Sequence, residues 1–82
     1  MPLSDDELQA IWARYNATTP GPWESWIEGR DFTSGSSVIT TGGVDLYLLG
    51  ASEADQDFIA SAKQDVPRLL DEIERLKNLT RL

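Results

Sequence analysis

The sequence predicts an α+β fold in one domain over residues 1–82. A helix covers 1–16, a turn and a three-stranded antiparallel β-meander cover 17–50, and a helical region covers 51–82 and ends in a long amphipathic, coiled-coil-like helix. Three observations carry this reading. A capping signature opens an apolar stripe near the start, a β-branched middle is punctuated by Gly and Pro, and a three-four apolar repeat fills the end.

Ser4-Asp5-Asp6-Glu7 reads as a capping box, in which the Ser4 hydroxyl accepts from the Glu7 amide and the Glu7 carboxylate reaches back, while Asp5 and Asp6 suit the positive helix end. Leu8, Ile11, Trp12 and Tyr15 then fall at i, i+3, i+4 and i+7 on one stripe, which runs out near Asn16. Two prolines around a glycine in Thr18-Thr19-Pro20-Gly21-Pro22 end the helix and turn the chain.

Trp26-Ile27 continues as a first strand, with turn signals at Gly29-Arg30-Asp31 and Ser34-Gly35-Ser36. Ser37-Val38-Ile39-Thr40 is β-branched enough for a second. Thr41-Gly42-Gly43 has the composition of a two-residue primed hairpin turn, which needs positive φ, and Val44 to Leu49 follow as a third strand with Val44, Leu46 and Leu48 on one face. One side of this sheet is expected to pack on helix.

Ser52-Glu53-Ala54-Asp55 is a second cap-like start, for a helix carrying Phe58, Ile59 and Ala62. Proline is tolerated in a first turn but costs about 3 kcal/mol inside a helix. Asp65 is therefore read as the N-cap of a further helix, from Val66 to about Arg81, with Leu69, Leu70, Ile73, Leu76 and Leu79.

With 82 residues, a chain this size buries about 60–65% of the surface its unfolded form exposes, so its core is thin. Small scaffolds usually compensate with disulfides, a metal or association, and neither Cys nor His is present. Cys nucleophiles, His bases, zinc-water hydrolysis and Ser-His-Asp triads are thereby excluded. No cofactor or metal site is expected, and the chain reads as a binding protein and not an enzyme. A carboxylate enzyme using a divalent metal is the class-distinct alternative. Glu53, Asp55 and Asp57 lack calcium-loop spacing and read as a solvated helix start.

Fourteen acidic residues against seven basic give a net charge of −7, which disfavours nucleic acid and anionic membranes, where cationic side chains supply the affinity. No apolar run approaches a membrane span, and Met1 to Asp6 lacks a basic region followed by an apolar one, so a cytoplasmic location is expected. The triplets at Asn16 and Asn78 fit a glycosylation pattern by chance on that reading.

Ile59, Ala62, Val66, Leu69, Ile73, Leu76 and Thr80 alternate by three and four, a heptad seam with β-branched residues mainly at a and leucine mainly at d, the parallel-dimer preference. Glu72 falls at g and Lys77 at the following e, while Leu70 and Leu79 widen the stripe. Two coverings stay open: the protein's own sheet, or a second copy. A mixture puts Leu69, Leu70 and Ile73 on the sheet and Leu76 and Leu79 against another chain. A homo-oligomer, dimer or higher, is the expected state.

Trp12 and Trp23 read as core residues. Trp26, with Arg30 and Asp31 in the next turn, would make one wall of a ligand site, stacking a planar group beside a cation. The Gly42-Gly43 amides would serve such an anion as a nest, although a hairpin turn already accounts for them.

Thr19-Pro20-Gly21-Pro22-Trp23, then Ala54-Asp55-Gln56-Asp57-Phe58-Ile59-Ala60, then Asp65 to Leu76 resemble the Ead-like group of small bacteriophage and prophage proteins. Such proteins join a TPGPW-type turn to a variable β-rich middle and a helix running into a leucine-rich, often coiled-coil tail. Here the middle is compact and the tail runs to Leu82. The resemblance implies a phage-encoded accessory protein acting in the host cytoplasm. By analogy with other small phage proteins, it would counter host defence by sequestering a nucleotide-like signal or by binding a host protein through its acidic surface or apolar last helix.

Overall fold

The computed structural model describes residues 2–80 and contains, in order, α1 (Asp5–Asn16), β1 (Glu24–Trp26), β2 (Val38–Thr40) and α2 (Glu53–Thr80). The chain divides into two compact units, one made of Met1–Thr18 with Asp65–Leu82, the other of Thr19–Gln64. Helix α2 contributes its first part to the second unit and its remainder to the first. Among the described residues no helix is long and apolar enough to cross a membrane.

In the unit holding α1, the reciprocal cap forms as the sequence demands: the Glu7 amide donates to Ser4 Oγ at 3.1 Å and the Ser4 amide donates to Glu7 Oε1 at 3.0 Å. The capping bond holds the Glu7 carboxyl below its usual range. Among the described residues of this unit, Leu8 and Leu70 are the buried side chains, and they line one cleft with Trp12. Trp12 meets Tyr15 edge-to-face, with centroids 5.9 Å apart at 79°. Lys77 pairs with Asp5 across the same cleft.

The other unit is built on a two-stranded antiparallel sheet with Glu24 opposite Thr40, Ser25 opposite Ile39 and Trp26 opposite Val38. Its apolar core is Ile27, the fully enclosed Ile39, and Ala60 from α2. A reciprocal cap again starts the helix, with the Asp55 amide on Ser52 Oγ at 3.0 Å and the Ser52 amide on Asp55 Oδ2 at 3.2 Å.

Three sequence expectations are corrected here. Residues 44–49 do not make a third strand: the chain meets β2 at one bridge only, where Ile39 and Leu46 exchange amide-carbonyl bonds of 2.9 and 2.8 Å. Nor is Gly42-Gly43 a primed turn, because the glycines with positive φ are Gly29, Gly35 and Gly50. The Gly42 amide instead donates to the Pro20 carbonyl at 2.7 Å and Gly43 donates to Thr41 Oγ1 at 2.9 Å, which anchors the loop on the proline turn and keeps it from closing tightly. Without a tight turn to set register, pairing does not propagate beyond Leu46.

The third correction concerns Asp65, which starts no new helix. Helix α2 is continuous from Glu53 to Thr80 with Pro67 inside it. One proline removes one donor, and burial at Ala60, about two turns before it, and at Leu70, in the turn after it, offsets that loss. The expected end at Arg81 lies outside the described residues.

Candidate functional site

Arg30 sits at the head of a tight turn whose geometry Asp31 dictates. The Asp31 amide donates to the Ile27 carbonyl at 2.8 Å while the Ile27 amide donates back to Asp31 Oδ2 at 2.8 Å. Gly29, at φ +87°, supplies the left-handed residue this turn requires. The Glu28 amide donates to Ser37 Oγ at 3.0 Å and ties the turn to the approach to β2.

The guanidinium is held by two carboxylates at once. Its Nε and Nη2 donate to Asp31, with Nη2 to Oδ2 at 2.8 Å, and its Nη1 and Nη2 donate to Asp57 Oδ2 and Oδ1 at 2.8 and 3.1 Å. Asp57 had read as part of a solvated helix start and emerges as the closing member of this clamp. Arg30, and secondarily the Ser25 hydroxyl, hold the Asp57 carboxyl down to about 2. Asp31 is lowered by Arg30 and by the Ile27 amide, and Arg30 is raised by Asp57 and Asp31.

One cation between two anions leaves a cluster with a net charge of −1, which repels an anion. Trp26 is partly exposed and its Nε1 donates to Thr40 Oγ1 at 3.0 Å. The Gly42 and Gly43 amides are the ones already taken by Pro20 and Thr41. So the residues expected to receive a planar anion, namely Trp26, Arg30, Asp31, Gly42 and Gly43, all lie in the sheet-bearing unit, with their polar groups engaged by the protein itself.

Two glutamines missed by sequence reasoning organise the same unit. Gln56, only 4% exposed, donates through Nε2 to Ser25 Oγ, the Trp26 carbonyl and the Val38 carbonyl at 3.1, 3.2 and 3.1 Å, so it grips both strands. Gln64 accepts from the Trp23 amide at 3.0 Å and donates to the Trp23 carbonyl at 3.3 Å. Lys63 lies 5.6 Å from the Trp23 ring centroid, and the Trp23 Nε1 donates to the Thr19 carbonyl at 3.0 Å. The signal was present in the spacing: Gln56, Ala60 and Gln64 lie at i, i+4 and i+8 on one helical face.

The expected association residues lie in the other unit and divide between inside and outside. Leu70, expected to widen the apolar stripe, is buried, and Ile73 is half-buried. Leu69, Leu76 and Leu79 stand 63%, 48% and 54% exposed. Glu72 pairs with Arg75 one turn along α2, and Lys77 with Asp5. The charges assigned to e and g positions thus have partners within the chain.

A second exposed apolar surface belongs to the sheet-bearing unit. Tyr47, Leu48, Leu49 and Ala51 from the loop, with Asp55, Phe58 and Ile59 from α2, line an open groove of about 510 Å³. Among the described residues no group of three or more His, Cys, Asp or Glu side chains is arranged to hold a metal ion. No family model, curated protein or solved structure matches the chain.

Proposed function

We propose that the protein is a non-enzymatic accessory protein of phage or prophage type that self-associates through the leucine edge of α2 and works by binding. The single observation that carries this reading is the exposure of Leu69, Leu76 and Leu79 along one helix of an otherwise charged tail. Apolar area left in water forgoes about 25 cal/mol per Å² that contact with another surface recovers. The unit holding these leucines carries seven acidic and five basic residues, a near balance that allows two copies to approach.

Within this reading, Ile73 with Leu69 and Leu76 forms the a/d seam of a parallel pair, and Glu72 and Lys77 exchange their internal partners for those of a second chain. Capture of a nucleotide-like signal at Trp26 and Arg30 is disfavoured by the clamp on Arg30, since an incoming phosphate would compete with two carboxylates already in bidentate contact. Inhibition of a host protein remains compatible with the acidic surface.

Sedimentation velocity across micromolar concentrations tests the assembly. The expected result is a concentration-dependent dimer or higher species that the Leu69→Ser, Leu76→Ser double variant converts to monomer with its helical circular dichroism retained. A wild-type chain that stays monomeric throughout overturns the proposal. A nucleotide-induced thermal shift abolished by Arg30→Ala would favour the signal-capture role instead.

A further inference from the structure

The groove beside Phe58 differs from the tail leucines in one respect that decides its occupant, namely charge. Residues 19–64 carry seven acidic side chains against two basic ones, a net of −5. Both cations are committed: Arg30 lies between Asp31 and Asp57, and Lys63 lies over the Trp23 ring. Asp55 lines the groove, and Glu53 and Asp45 stand beside its two walls in sequence.

Within this acidic unit the most prominent side chains are apolar. Leu49 is completely exposed, Phe58 is 74% exposed and Tyr47 64%. Phe58 and Ile59 are fixed to a continuous helix, and the reciprocal Ser52–Asp55 cap pins the helix start next to the loop that presents Tyr47 and Leu49. Small-molecule sites enclose most of their ligand, whereas Leu49 and Phe58 project outward from a shallow, open surface. Such knobs suit a polypeptide partner that brings its own pockets.

A second copy of this chain does not fit here. In a two-fold interface the same patch faces itself, so the acidic groove would meet its own copy and one −5 unit the other. A partner carrying Lys and Arg around apolar residues gains from both features: its apolar side chains cover Phe58 and Leu49, and its cations meet Asp55 and its neighbours. We propose that the Tyr47–Leu49/Phe58–Ile59 groove is a docking surface for a basic amphipathic segment of another protein. This surface is independent of the tail and stands whether or not the tail self-associates.

The test is fluorescence anisotropy of the full chain with two labelled synthetic amphipathic peptides of the same length, one of leucine and lysine, the other of leucine and glutamate. The lysine peptide is expected to bind, with affinity that falls as salt rises, and the glutamate peptide to give no detectable change. Phe58→Ser and Leu49→Ser should each weaken the lysine peptide by about tenfold. Leu49 lies in an exposed loop, so its replacement reports on docking even if the helix variant folds poorly. Asp55→Asn, which keeps an acceptor for the Ser52 amide, should weaken binding by about threefold and flatten its salt dependence. Leu76→Ser should bind as wild type does. The proposal is overturned by equal binding of both peptides, by lysine-peptide binding indifferent to Phe58→Ser and Leu49→Ser, by a loss confined to Leu76→Ser, or by self-association that Leu49→Ser abolishes.

Discussion

The side-chain amide of Gln64 meets both backbone polar groups of Trp23, accepting from its N–H at 3.0 Å and donating to its carbonyl at 3.3 Å. A helix side chain thereby supplies the segment entering β1 with the pairing that a neighbouring strand would otherwise give. Gln56 does similar service two turns earlier, for the Trp26 and Val38 carbonyls.

Replacing Gln64 by Ala removes both bonds and leaves a half-buried peptide without partners, which should lower stability by about 1–2 kcal/mol. Gln64→Glu retains the acceptor and loses the donor, so it should fall between Ala and wild type. Gln56→Ala, in the more enclosed position, should cost about 2–3 kcal/mol, because three acceptors lose their donor. Urea denaturation midpoints measure all three.

The Arg30 clamp makes stability depend on acid in a defined direction. Asp57 is held to about 2 and Asp31 is likewise lowered, against about 3.9 for an unfolded aspartate. The unfolded chain therefore binds more protons than the folded one in this range, so the clamp's contribution is fully present above about pH 4 and is lost as pH falls toward 2. Unfolding curves at successive pH values should show that loss in the wild type and a smaller one in Arg30→Ala. A carboxyl-carbon NMR titration of Asp57 should move up toward about 3.9 in the variant, with the Ser25 hydroxyl still holding it below that value.

Gly42 is placed by proximity to backbone. A Cβ there would lie 2.7 Å from the Pro20 carbonyl oxygen and 3.0 Å from that of Gly21. Gly42→Ala should destabilise by about 1–3 kcal/mol, since the opposing atoms are main chain and cannot swing away. Gly43→Ala should cost less, because its nearest obstacle is the Thr19 methyl group at 3.0 Å. Parallel thermal melts of the two variants compare them directly.

Pro67→Ala returns an N–H to the interior of α2, where it can bond the Lys63 carbonyl. The gain of about 3 kcal/mol from removing an interior proline is reduced by the freedom Ala restores to the unfolded chain, so a net stabilisation of about 2 kcal/mol is expected. A lower denaturation midpoint would mean that the proline ring makes contacts outweighing the missing bond.

Features written in local chemistry were legible in the sequence. The Ser4–Glu7 and Ser52–Asp55 caps, the end of α1 at Asn16 and the position of β2 follow from residues a few places apart, whereas β1 lies at Glu24–Trp26 and shares only Trp26 with the expected Trp26-Ile27 strand. What was not legible depends on residues far apart. That Arg30 would find Asp57, 27 residues on, cannot be read from a turn signal, and the pull of Pro20 on Gly42 converts an apparent hairpin into an anchored loop. Pro67 misled because propensity counts the lost donor and omits the burial at Ala60 and Leu70 on either side. Glutamines rarely register as organising residues, and their role here showed only in the regular interval of Gln56, Ala60 and Gln64.

Both glutamines of α2 recognise mainly peptide groups, with the Ser25 hydroxyl the one side-chain contact among them. Every amino acid except proline carries the same peptide N–H and carbonyl. A segment anchored in this way can exchange its outward-facing side chains with little penalty to its attachment, so the scaffold is suited to presenting new surfaces while its grip on the strands stays the same.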